Sequence, residues 1–176
     1  LCLNMIKKNK AVFLDRDGVL NKNRDDYVKS TKELEIFSNI GKEILKLKMK
    51  GFLIIVITNQ SVINRKIITI KELEEIHLTI QKFLIKSKTS IDKFYFCPHR
   101  PDENCDCRKP KPGLILQAIN EFSIDVSKSW MVGDSKTDIQ AGEKAGCKTI
   151  FLKKNDSFTN ILKIIESEEK YAQTSK

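Results

Sequence analysis

Ala11-Val12-Phe13-Leu14-Asp15-Arg16-Asp17-Gly18 is the stretch that decides the fold. Four apolar residues run without interruption and stop at an acid, which predicts a strand buried on both faces, as in a parallel sheet. An aspartate directly after such a strand stands at the edge of the sheet, and a second one two residues on can face the same side. Gly18 lets the chain turn sharply there. Two carboxylates about 4 Å apart repel by about 4 kcal/mol at an effective dielectric of 20. A divalent cation or a shared proton would relieve that; taken alone, the pattern is equally an acidic turn.

Working outward, Phe52 to Ile57 is a second continuous apolar run and stops at Thr58-Asn59. Lys93 to Phe96, Ser129 to Val132 and Lys148 to Leu152 read as three further strands, the fourth ending at Gly133-Asp134. Helical spacing fills the gaps. Residues 39–50 form a helix stopped by Gly51. Thr69 to Glu72 is a capping box that opens a second helix, with Leu73, Ile76, Ile80 and Leu84 on its apolar face. Pro112 opens a third, residues 137–145 form a fourth ended by Gly146, and 158–168 a last one, followed by a frayed tail from Lys170. Strands alternating with helices give an α/β fold, a Rossmann-like and mostly parallel sheet flanked by helices in one domain. The expected bounds are an extension over 1–10, the domain over 11–170 and a tail over 171–176. In such sheets ligands bind beyond the carboxyl ends of the strands, where Asp15, Thr58-Asn59 and Asp134 would converge.

With 40% hydrophobic and 31% charged residues, the 176-residue chain has the composition of a globular domain with one core. No apolar run approaches the ~20 residues of a membrane helix. Leu1 to Asn4 are too short for the apolar core of a signal peptide, and Met5 is the expected start, so the cytoplasm is the expected compartment. The net charge is +9, but the lysines are dispersed, which favours a Lys-rich enzyme surface over a nucleic-acid tract. Five cysteines, an odd count, argue against a disulfide framework.

Gly133-Asp134-Ser135-Lys136-Thr137-Asp138 repeats the strand-then-acid pattern of the first motif. Magnesium prefers a few carboxylates together with phosphate oxygens and water, and Asp15, Asp17 and Asp134 can supply them. Thr58 adds a hydroxyl donor, and Lys109 or Lys111 a cation. Together they compose a phosphoryl-transfer site. Asp138 is placed either to orient catalytic groups or to suit the dipole of its helix. Cys97-Pro98-His99, with Cys105 and Cys107 close behind, makes a closed set of three thiols and one imidazole, typical of structural zinc. Such a site would pin a loop that leads straight into Arg108 and Lys109. His77 reads as a packed or solvated helix histidine, Cys147 and Trp130 as core.

The four motifs DRDG (15–18), TNQS (58–61), the lysine of CRKPKPG (107–113) and GDSKTD (133–138) resemble, in order and spacing, the haloacid dehalogenase superfamily. The resemblance implies that Asp15 is the nucleophile and Asp17 the general acid and then base. It implies that Thr58 and Lys109 hold the phosphoryl group, and that magnesium sits on Asp15, the Asp17 carbonyl and Asp134. The metal loop is similar to that of the capless zinc-containing heptose-bisphosphate and histidinol-phosphate phosphatases. That likeness implies a C7-phosphatase of heptose bisphosphate serving surface-polysaccharide precursors, with histidinol-phosphate hydrolysis and, behind it, DNA-end hydrolysis as alternatives. It also implies a pocket lined by Asn23, Arg24, Asp26, Tyr27, Asn59, Gln60, Ser61, Arg108 and Ser135. The expected partner is a phosphorylated sugar, with no nucleic-acid or membrane partner, and the expected state a monomer. The chain departs from the family pattern at Val62 and near Lys66, where glycines are usual, and at Asp26-Tyr27-Val28, where Gly-Tyr-Val is usual. Neither gap between motifs has room for a cap domain.

Overall fold

A computed structural model describes residues 8–153, 158 and 160–174. Five strands, β1 (Lys10–Leu14), β2 (Phe52–Asn59), β3 (Lys93–Cys97), β4 (Trp130–Gly133) and β5 (Lys148–Phe151), form one sheet in the order β3-β2-β1-β4-β5. All pairings are parallel. The helices are α1 (Ile40–Met49), α2 (Ile70–Ile85), α3 (Gly113–Phe122), α4 (Lys136–Ala145) and α5 (Asn160–Thr174).

The period of two along a strand builds two cores. Val12 and Leu14 of β1 join Ile54 and Val56 of β2 against Ile44 of α1, Leu84 of α2 and Ile161 and Ile165 of α5. Ala11 and Phe13 join Ile55, Ile57 and Met131 against Ile115 of α3 and Ala141 of α4. Both faces are therefore covered, which is why the strand sequences show no polar alternation. β1 links through α1 to β2 on one side, while β4 pairs with its other edge. The point where the strand order reverses lies between β1 and β4, where Asp15 and Asp134 emerge.

Local signals hold closely. The Thr69/Glu72 capping box is formed in both directions, and Gly51 and Gly146 follow their helices with positive φ. The expected frayed tail is a correction: α5 continues through Lys170 to Thr174. Ile161 and Ile165, fully buried, dock its first turns, and Glu168, Glu169 and Lys170 beyond them are exposed. Lys10, assigned to the N-terminal extension, already belongs to β1; Leu1 to Lys7, including the expected Met5 start, lie outside the described residues.

Candidate active site

β1 ends at Leu14, and Asp15 N donates to Val132 O at 3.0 Å, so the tips of β1 and β4 are stitched together. Gly18, at φ +84°, is the second fixed point: a Cβ there would lie 1.9 Å from Asp134 Oδ2. No other residue lets the DRDG turn pass so close to that carboxylate. Oxygen atoms of Asp15, Asp134 and Asp138 thereby come within 4.8 Å of one another.

One cation enters this acidic cluster. Lys109 Nζ lies 2.8 Å from Asp15 Oδ1 and 2.7 Å from Asp138 Oδ1, and donates to Ile57 O at 2.7 Å. The residue is 3% exposed. Burial works to lower its pKa, but the two carboxylates outweigh it and hold the ammonium charged. Burial pushes Asp15 up to about 7; Lys109 offsets part of that, and Asp138 and Asp17 add to it. Asp134 is raised as well, by burial and then by Asp138. Asp138 Oδ2 is spent on the α4 capping box with Ser135. Both sequence readings of Asp138 therefore hold: it orients Lys109 and caps its helix. That leaves Asp15 and Asp134 as a pair with excess negative charge, a donor set that fits one hard divalent cation.

Asp17 is placed differently from Asp15. Its Oδ1 accepts from Arg16 Nε and Nη2 and from Asn21 Nδ2, at 3.1, 2.9 and 2.9 Å. Its Oδ2 accepts from Arg16 Nη2 at 2.8 Å and Gln60 Nε2 at 2.9 Å. Burial favours the neutral acid, but the Arg16 charge and the Asn21 and Gln60 bonds hold the carboxyl below its usual range. Arg16 and Asn21 were not singled out in the sequence. The only available signal was an arginine wedged between two acids, which on a surface turn would simply point to water. Here it is 1% exposed, with its guanidinium on Asp17 and the chain closing back on itself at the Asn21–Ile36 bridge.

The TNQS segment also faces inward. Thr58, Gln60 and Ser61 are buried. Gln60 Nε2 donates to Thr58 Oγ1 at 2.9 Å as well as to Asp17. Asn59 brackets the Lys109 backbone, donating to its carbonyl at 3.2 Å and accepting from its N–H at 3.1 Å. Asn59, Gln60 and the helix-capping Ser135, for which pocket-lining is expected, thus also make hydrogen bonds within the protein. Arg24, Asp26 and Tyr27 hold one another: Arg24 Nε donates to Asp26 Oδ1 at 3.1 Å and to Tyr27 O at 3.2 Å. Asn23 is exposed beside them. Arg108 Nη1 donates to His99 O at 3.1 Å, on the wall of a cavity of about 310 Å³ that opens beside Lys109 rather than over Asp15. Arg100, Lys111 and Lys144 complete its cationic lining.

Cys97 ends β3, and its thiol with those of Cys105 and Cys107 and Nδ1 of His99 forms one cluster. Neighbouring ligand atoms lie 3.2 to 3.6 Å apart. A disulfide needs about 2.05 Å, whereas a tetrahedron of Zn–S bonds of about 2.3 Å has edges near 3.8 Å. The set therefore fits a closed tetrahedral metal. Of the departures in the flanking loops, Lys66 falls on strained backbone at φ 57°, and Tyr27, which follows Asp26, has φ 67°, the left-handed region that favours glycine. Val62 is fully buried against Leu73 and Ile76.

A parallel sheet with an acid after β1, an acid after β4, a buried lysine between them and no inserted cap defines a HAD-type hydrolase domain. A HAD-hydrolase-like family model matches residues 106–168. The D-glycero-beta-D-manno-heptose-1,7-bisphosphate 7-phosphatase of Helicobacter pylori strain J99 is 44% identical over 149 residues, 84% of this chain and 85% of the relative. That of Neisseria meningitidis serogroup A is 41% identical over 79% of this chain and 74% of its own. The crystal structure of D,D-heptose 1,7-bisphosphate phosphatase from B. bronchiseptica, complexed with magnesium and phosphate, superposes with a TM-score of 0.84 at 28% identity. It covers 90% of this chain and 99% of that one. The chain belongs to the heptose-1,7-bisphosphate 7-phosphatase family of HAD-like hydrolases.

Proposed function

We propose that this protein hydrolyses the C7 phosphate of D-glycero-D-manno-heptose 1,7-bisphosphate through a phosphoryl-enzyme intermediate on Asp15. The convergence of Asp15, Asp134, Asp138 and Lys109 on one point beyond β1 and β4 carries the reading. Asp15 Oδ attacks phosphorus and the bond from phosphorus to the sugar oxygen breaks. Asp17 supplies the proton to the leaving oxygen. In the second half Asp17 takes a proton from water as the water oxygen bonds to phosphorus and Asp15 leaves. The Arg16 clamp holds Asp17 ionised at rest; the proton it passes to the leaving oxygen is taken from the singly protonated substrate phosphate, whose second pKa is about 6. Lys109 and the Thr58 hydroxyl meet charge on the equatorial oxygens. Asp15, Asp134 and the Asp17 carbonyl would hold magnesium, which when bound neutralises phosphoryl charge and keeps Asp15 ionised. Cys97, His99, Cys105 and Cys107 would hold a structural zinc that fixes the approach to Lys109.

The likeness to heptose-bisphosphate phosphatases, at 41–44% identity, favours a bisphosphate over histidinol phosphate. Arg108 and Lys144 beside Lys109 add positive charge that suits a second phosphate, while Arg100 and Lys111 are paired with Asp102 and Asp106. A cytoplasmic monomer fits this activity, and no helix among the described residues is long and apolar enough to cross a membrane. A phosphate-release assay with both substrates tests the choice. The heptose bisphosphate should turn over with the higher kcat/KM; faster release from histidinol phosphate would reverse it.

A further inference from the structure

We infer that Gln60 is a positioning residue that turns the hydroxyl proton of Thr58 toward the phosphoryl group. The inference rests on the site reading above and concerns a side chain whose amide nitrogen is committed to Asp17 and Thr58. Gln60 is 4% exposed. Its amide nitrogen lies 2.9 Å from Asp17 Oδ2 and 2.9 Å from Thr58 Oγ1. A carboxylate oxygen offers no proton when ionised, so on the Asp17 side only the amide nitrogen of Gln60 can make the bond. Both amide hydrogens are then used, one on Asp17 and one on Thr58.

The consequence falls on Thr58. A hydroxyl offers one proton and two acceptor sites. Gln60 fills an acceptor site, so the hydroxyl cannot turn its proton back toward Gln60. Thr58 is 1% exposed, and among the described residues no protein acceptor receives its proton. That proton is left to point into the site, where charge develops on the transferring phosphoryl group. The Gln60 backbone is fixed too, its N–H donating to Cys97 O at 2.7 Å. The amide thus transmits a fixed polarity from the Asp17 carboxylate to the Thr58 hydroxyl. In its absence the hydroxyl can rotate and present a lone pair to an anionic oxygen.

A double-mutant cycle tests this on the zinc-loaded full chain, with kcat, KM and the inhibition constant of orthovanadate as readouts. Gln60→Met should lower kcat and weaken orthovanadate about tenfold, with KM changed less. In a Thr58→Val background, which has no hydroxyl to orient, the same substitution should cost several-fold less, the remainder being the lost Gln60 bond to Asp17. Equal factors in both backgrounds would mean that Gln60 acts only through Asp17 or through packing and would overturn the inference, as would a Gln60→Met enzyme with unchanged kcat. If Gln60→Met does not fold, judged by its melting curve, Gln60→Asn replaces it, since the shorter amide cannot reach both acceptors. Thr58→Val alone separates the levels. Unaltered turnover there would remove Thr58 from the phosphoryl clamp and the inference with it, while a large loss there with additive Gln60 effects would sink the inference alone.

Discussion

The Lys109 ammonium lies 2.8 Å from the Asp15 carboxylate, although the two residues stand 94 positions apart in the chain. The contact joins the tip of the central strand to the end of the cysteine-rich loop, and the second carboxylate of Asp138 completes it. Lys109→Met would leave both acids buried and unpaired, at a cost of about 3–5 kcal/mol. Urea unfolding should show that loss, and adding Asp138→Asn should recover part of it. A single variant as stable as the parent would mean that the acids are solvated.

Asp15→Asn should lower turnover of any phosphate ester by roughly a thousandfold or more. The amide keeps the shape of the side chain and removes a buried charge from beside Asp138 and Asp17, so the melting temperature should not fall. Phosphate release and a thermal scan on the same sample check both halves. Retained turnover would take the nucleophile role from Asp15.

Cys107→Ser breaks a ligand cluster whose next two residues are Arg108 and Lys109. Zinc bound per chain, measured by metal analysis, should drop, and activity should drop with it while far-UV circular dichroism stays near that of the parent. The sheet does not depend on the loop, whereas the placement of Lys109 does. Unchanged zinc stoichiometry would mean that the ligand set is wrong.

His77 is 7% exposed, stacked on Phe94 at 4.4 Å, and its Nε2 has no partner. Burial, and after it the nearby Arg16 charge, lowers its pKa to about 3. The folded state thus prefers the neutral ring. Its contribution is fully present above the unfolded value of about 6.5 and is lost as pH falls from there toward 3, by about 1.4 kcal/mol per unit. Between pH 6.5 and 5 the parent should lose about 2 kcal/mol more than His77→Phe in urea unfolding. Parallel losses would show that the ring is hydrated.

Lys66 sits at φ 57° in the turn after TNQS, where its N–H donates to Ile63 O. A left-handed conformation costs a residue with a Cβ roughly 1–2 kcal/mol, part of which glycine returns as lost chain entropy. Lys66→Gly should therefore raise stability by about 0.5–1 kcal/mol. A lower melting temperature would mean that the lysine side chain contributes more than its backbone costs.

The fold was readable because each central strand is a continuous apolar run, a pattern that a strand covered on both faces imposes. Asp15 and Asp134 were readable because each ends such a run, and the metal cluster because its ligands are close in sequence. What could not be read is which partners the inward polar groups choose. Arg16, Asn21 and Gln60 are ordinary turn residues by type. Their burial goes with the closure of the chain at the Asn21–Ile36 bridge and with the bond of the Gln60 N–H to Cys97 O, contacts between segments far apart in the chain. The partners of Asn59 could not be read for the same reason: it brackets the backbone of Lys109, 50 positions away. The last turns of α5 were missed because the polar run from Glu166 to Lys170 carries no apolar signal.

Strand β1 has one more implication. It runs from Lys10 to Leu14, so the chain enters the sheet about 16 Å from Asp15, at the opposite rim. The two ends of the central strand thus serve different rims, and only the far one carries the acids of the site.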